Sequence, residues 1–242
     1  MYGYARNGGT HMAHDALRQL LVTGGKILVD AGQDDFTRGH ISARLTDDPS
    51  RFLMKPHSIG LDEITADNIL TIGLDGEVIA GTGRRHSEVY IHSEIYKARP
   101  DVNCVIHSHP TYTVALSATG RPMRAYSQPG ALFHEAIGVY VDSISLIRSV
   151  EMGAGVAKAL GPHRAALLKN HGAVIAGASV EETVIVALML ENAAQIQMIA
   201  EAAGELAPTF PQTDIENLKS QLSKPDQFKI NFDYLARRAD RR

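Results

Sequence analysis

The stretch from Val102 to Pro110 constrains this chain most. Val102, Val105 and Ile106 make it apolar and β-branched, so Val102 to His109 reads as a strand. Alternate strand residues share a face, so His107 and His109 project together at its end. Pro110 then opens a helix, where a missing N–H costs nothing. Paired imidazoles at the C-terminal end of a strand can grip one metal ion, and that end is a common place for a site in an α/β fold.

The 242 residues suffice for one large domain with a substantial core. Hydrophobic residues at 44% and charged residues at 21% are ordinary for a soluble protein. The net charge of −3, with no concentrated basic stripe, argues against a nucleic-acid partner. Arg237, Arg238, Arg241 and Arg242 read as a solvated tail. No apolar run reaches ~18 residues, so no membrane span is expected. There is no signal-peptide pattern. Cys104 is the only cysteine, which excludes an internal disulfide and suits the cytoplasm. It sits mid-strand, opposite the histidine pair, as a packing residue. His11-Met12 matches a common cloning sequence, so residues 1–12 read as a cloning-derived or disordered lead.

One domain is expected over 13–242, with a polar, partly helical tail from about 206. Ala13 to Ala31 reads as a helix, with Gly24-Gly25 marking close packing. Strands are expected at Ile41–Leu45 and Arg51–Lys55. A hairpin over 69–79 turns at Asp75-Gly76. Ser87 is the expected N-cap of a helix running to Lys97, which puts Glu88 in its first turn. Further helices are expected over Thr111–Thr119, Ser149–Leu160 and Ser179–Ala203. Ser179 and Glu182 have capping-box spacing. Gly130–Val141 reads as mixed loop and strand. Ala165–Lys169 and Ala173–Ala176 are short strands around Asn170-His171-Gly172.

His107, His109 and His171 form the candidate metal site. Neutral imidazoles suit zinc, iron, nickel or manganese, and three of them leave positions open for substrate. The plainer alternative is three unrelated histidines at loop edges. Glu88 is either an ordinary first-turn carboxylate or a metal ligand and general acid/base. His92 shares its helix face and reads as a supporting residue. His134 cannot be assigned from spacing.

At this point the chain resembles the class II aldolase/adducin family. The resemblance is carried by Gly39-His40-Ile41-Ser42, Ser87-Glu88 with His92 and Tyr96, Arg99-Pro100-Asp101-Val102, His107-Ser108-His109 and Lys169-Asn170-His171-Gly172. It covers roughly Ala13 to Ala203. It implies a three-layer α/β/α fold with a mostly antiparallel central sheet, and a homotetramer with sites near subunit interfaces. It implies one divalent metal ion per subunit on His107, His109 and His171. Zinc or manganese is expected, with iron, cobalt and nickel also compatible. The resemblance makes Glu88 the acid/base and a resting-state ligand. An aromatic from a neighbouring subunit often completes such sites, and Tyr234 is the candidate here.

The sugar-phosphate aldolases of that family hold phosphate with small residues where this chain has His40, His57 and His86; Ser58 and Ser87 are retained. Imidazoles fill that space, and Arg85 adds a cation suited to a carboxylate. This wording looks more like the family's aromatic decarboxylase branch. The expected activity is therefore a metal-dependent decarboxylase of a hydroxylated aromatic (di)carboxylate, working through a metal-stabilised enolate-like intermediate. His40, His57, Ser58, Arg85 and Ser87 would bind the substrate. The alternatives are an aldolase or epimerase for a small unphosphorylated hydroxy-carbonyl compound, and a non-catalytic adducin-like binding module.

Overall fold

The computed structural model describes residues 7–204, 206, 207 and 209–241. In chain order the elements are α1 (Asn7–Asp30), β1 (His40–Arg44), β2 (Arg51–Met54), β3 (Leu70–Gly73), β4 (Val78–Ala80), α2 (Val89–Ala98), β5 (Cys104–Ser108) and α3 (Thr111–Thr119). Then come α4 (Gln128–Phe133), β6 (Gly138–Tyr140), α5 (Val150–Leu160), β7 (Ala165–Leu168), β8 (Gly172–Gly177), α6 (Val180–Ala202), α7 (Gln212–Leu222) and α8 (Pro225–Ala239).

Eight strands make one sheet in the order β4-β3-β2-β1-β5-β8-β7-β6. Every pairing is antiparallel except β6 with β7. Helices cover both faces, which is the three-layer α/β/α arrangement expected. On one face Cys104 and Ile106 of β5 join Leu21 of α1, Leu116 of α3, Val184 of α6 and Phe228 of α8. On the other, Val105 joins Val89 and Ile91 of α2 and Val156 and Leu160 of α5. Cys104 is fully buried, and burial pushes its thiol up to about 12.

The glycine pair in α1 is a close approach. A Cβ on Gly25 would stand 2.1 Å from the Leu61 carbonyl, and one on Gly24 would press on Val184 and Ile41. α6 is long and apolar enough to pass for a membrane span by composition. Half of that apolar window is buried, and the helix packs on α1, α3, α8 and the sheet, the position of a core helix.

The structure corrects several local expectations. α1 begins at Asn7, so helix replaces the expected lead over 7–12; residues 1–6 lie outside the described residues. β5 stops at Ser108, so His109 lies one residue past the strand. The N-cap of α2 is Glu88, not Ser87, and no side chain caps that end. Gly130 is helical: Ser127 caps α4 by accepting the Gly130 N–H, so a helix opens the segment expected to be loop. The Ser179–Glu182 box forms only half-way. Ser179 Oγ accepts the Glu182 N–H at 3.1 Å, but the Glu182 carboxylate takes the Ala178 N–H and Arg164.

Candidate functional site

The site gathers where β1, β5 and the β7–β8 turn meet the start of α2. β1 and β5 pair so that His40 faces His107 across the ladder. The turn 169–171 carries His171, and Asn170 takes the left-handed conformation there (φ 60°), which asparagine tolerates better than most residues. Gly172 follows. A Cβ there would lie 2.5 Å from the Ser108 carbonyl oxygen and 2.7 Å from His109 Cδ2, so its absence lets the two ends of the site close together.

Glu88 is 2% exposed. Its carboxylate leaves its own helix uncapped and accepts the Ile147 N–H at 2.9 Å instead. Oε1 lies 3.6 Å from His171 Nε2; Oε2 lies 3.7 Å from His107 Nε2 and 3.7 Å from His40 Nε2. Burial raises the carboxyl above its usual range, against the opposing pull of the Ile147 N–H and Arg148.

His107, His109, His171 and Glu88 each offer a ligand atom within 4.8 Å of the others. His107 donates Nδ1–H to the Ala173 carbonyl at 3.0 Å, so its Nε2 carries a lone pair. His109 Nδ1 stands 2.9 Å from Asp35 Oδ2, oblique to an ideal hydrogen bond, and this carboxylate favours a proton on that nitrogen. The Nε2 atoms of His107 and His109 are then two lone pairs only 3.0 Å apart. Both nitrogens of His171 are buried without a partner. Burial lowers all three imidazoles, His171 to about 4, so they are neutral. Converging neutral lone pairs beside a carboxylate fit a divalent cation better than they fit one another.

On the other side of Glu88 lies a second histidine group. His40 and His86 stack at 4.1 Å, and both form a further ligand-type cluster with Glu88. His40 Nδ1 lies 2.6 Å from His92 Nε2, and His92 Nδ1 lies 2.6 Å from Ser42 Oγ. Ser42 Oγ in turn lies 2.7 Å from the Tyr96 hydroxyl. His92 thus supports the site through His40. Below them Lys55 is fully buried, and its ammonium donates to the carbonyls of Thr37, Pro56 and Ile59. That pins the loop before β1 to the loop after β2. Burial brings Lys55 down to about 8.

A cleft of ≈580 Å³ opens over these groups. His57, His86, Ser87, Glu88, His109 and His171 line it. His40 and His107, both fully buried, sit beneath. Arg85 is not brought to this cleft: it stacks on Tyr90 and approaches Glu77 at 3.9 Å beside a separate hollow. Ser58 is exposed beside His57, at φ 69°. His134 ends α4 in a buried position away from the cleft. Tyr234 is half-exposed on α8 and lines a different hollow with α4, α6 and α7. Sequence reasoning missed Arg38 and Arg148, the cations that do line the cleft, and Ile144 and Leu146, its apolar wall. Their place depends on loops over 31–39 and 141–149, and no local signal marks it.

Known proteins agree with this geometry. The model of the class II aldolase and adducin N-terminal domain matches residues 19–198, and the chain belongs to that family. It is 28% identical to a 3,4-dihydroxyphthalate decarboxylase of Arthrobacter keyseri, over 86% of this chain and 88% of that protein. It is 32% identical to the meiotically up-regulated gene 14 protein of Schizosaccharomyces pombe, over 71% and 68% of the two chains. Its fold superposes on an L-fuculose 1-phosphate aldolase from Glaciozyma antarctica with TM-score 0.86 and 25% identity, covering 99% and 94%. The family and these relatives support a carbon–carbon lyase.

Proposed function

We propose that this protein is a divalent-metal-dependent decarboxylase of a hydroxylated aromatic carboxylate. The observation that carries the reading is a buried carboxyl between converging imidazoles, under a cleft with two cations and an apolar wall. Similarity to the dihydroxyphthalate decarboxylase along nearly the whole chain supports it.

His107, His109, His171 and Glu88 would hold the ion, zinc or manganese. When bound, it supplies Lewis-acid stabilisation of negative charge on the substrate oxygens. Arg38 and Arg148 hold a carboxylate at the cleft rim, since guanidinium and carboxylate match as paired donors and acceptors. Ile144 and Leu146 cover the ring and keep water from it. Glu88, whose buried position favours its protonated form, delivers a proton to the ring carbon that carbon dioxide leaves. The carbon–carboxylate electron pair thus ends in a new C–H bond. The active assembly in this reading is a homotetramer.

The second reading is an aldolase acting on a small hydroxy-carbonyl compound, favoured by the close superposition on the fuculose phosphate enzyme. The test is carbon dioxide release by protein reconstituted with zinc or manganese, on dihydroxyphthalates, dihydroxybenzoates and hydroxypyridine dicarboxylates. Metal-dependent release from one of these is expected. Aldehyde from hydroxy-carbonyl compounds, with no carbon dioxide from the panel, moves the protein to the aldolases.

A further inference from the structure

Two ligand-type clusters share Glu88, which raises the question of a second metal on His40 and His86. Counting hydrogens along the buried chain answers it. His40 and His92 are fully buried, and both imidazoles are pushed far below their ordinary range by burial, His92 to about 3. Each therefore carries one N–H. Tyr96 and Ser42 each carry one O–H.

Only two polarities connect these four groups. In one, His40 Nδ1–H donates to His92, His92 Nδ1–H to Ser42, and Ser42 to Tyr96. The Tyr96 O–H then has no acceptor among the described residues. The backbone contact at Val105 favours the phenolate, as an N–H donor does and a carbonyl does not, so it offers none. The Arg44 guanidinium over the Tyr96 ring is likewise a donor only. Leaving that buried hydroxyl unsatisfied costs about 1–3 kcal/mol.

In the other polarity every donor finds an acceptor. Tyr96 donates to Ser42, Ser42 to His92 Nδ1, and His92 Nε2–H to His40 Nδ1. His40 is left with Nε2–H, and that nitrogen is the buried, unpartnered atom facing Glu88 Oε2 at 3.7 Å.

We propose that Tyr96, Ser42 and His92 form a one-way hydrogen-bond wire that locks His40 as its Nε2–H tautomer, so that His40 presents a donor to the site and is not a metal ligand. The donor faces an anionic oxygen at the cleft floor, the Glu88 carboxylate in the resting protein. Tyr96, Ser42 and His92 are positioning residues acting through His40. The tautomer holds whichever reaction the cleft runs. Only its use on a substrate carboxylate rests on the decarboxylase reading.

The test is long-range ¹H–¹⁵N correlation spectroscopy of the ¹⁵N-histidine-labelled, metal-free full chain, repeated with zinc. The signals of His40 and His92 are identified by their loss in His40→Gln and His92→Gln. If either variant does not fold, through-bond connection to the residue's own backbone identifies them. Both rings are expected to show a protonated Nε2 and an unprotonated Nδ1. One equivalent of zinc is expected to shift His107, His109 and His171 and leave the His40 pattern in place. Ser42→Ala removes the link and is expected to leave His92 and His40 as averaged tautomers. A protonated Nδ1 in either ring of the unaltered protein overturns the proposal. So does a second equivalent of zinc that moves His40 Nε2 to a metal-bound position. Carbon dioxide assays do not enter this outcome, so the decarboxylase reading can fail while the wire stands.

Discussion

Two groups of histidines flank Glu88 and are built to opposite polarity. His107 and His109 have their Nδ1 sides turned to Ala173 and Asp35, so their lone pairs converge beside Glu88. His40 has its Nδ1 turned to His92, and the buried hydroxyls behind His92 turn its N–H outward. The residue type is the same on both sides; the partner of the far nitrogen differs. A histidine's role is therefore set one residue behind the site, by whether its partner is a carbonyl, a carboxylate or another donor.

The contrast can be broken most completely on the lone-pair side. His107→Ala is expected to abolish zinc uptake, measured by metal content after dialysis, and lyase activity with it. Tight zinc binding by that variant would show that the ion lies elsewhere. Glu88→Gln, on the boundary, keeps the shape but removes the transferable proton. Turnover is expected to drop ~10²–10⁴-fold with zinc content retained. Undiminished turnover would move the proton step to another group.

A milder change sharpens the comparison. Asp35→Asn alters the partner of His109 and is expected to weaken zinc affinity ~10–100-fold in competition with a chromophoric chelator, without touching the His40 tautomer. The smallest effect reads the N–H side by pH. His86 and His92 are held near 3 in the folded chain against 6.5 unfolded, by burial first. Between about pH 6.5 and 3 the unfolded chain takes up protons that the folded chain refuses. Stability is then full above 6.5 and falls as the pH drops, by about 1.4 kcal/mol per pH unit for each such imidazole. Urea midpoints measured on metal-free protein from pH 7 to 4 test this, and His92→Gln is expected to flatten the slope.

Much of this arrangement was legible from local pattern. The apolar run into His107 announced a strand, and Thr111–Thr119 with Gly120 matched its helix to the residue, because both signals lie within a few positions of what they control. Gly24-Gly25 read correctly as close packing. α4 was hidden because Pro129 and Gly130 look like breakers, while its cap, Ser127, was outweighed by them. Arg85 looked like the substrate cation because it adjoins His86 in sequence. The loop instead turns it onto Tyr90, and Arg38 and Arg148 arrive from elements far along the chain. The polarity of the wire could not be read at all, since it depends on Ser42 and Tyr96 meeting in space and on the hydroxyl between them having nowhere else to donate.

The pairing of His40 with His107 across β1 and β5 has a kinetic consequence. Strands that distant in sequence must close a long loop before any contact rewards them, so this ladder is slow to nucleate. A slip of one residue would also turn His40 to the opposite face and leave the rest of the sheet almost intact. No early fragment of the chain holds both histidine groups and the turn bearing His171. During synthesis or refolding, metal capture is a late event that reports a correctly registered sheet. A cation that binds only then also traps it, by adding its binding energy to the native state alone.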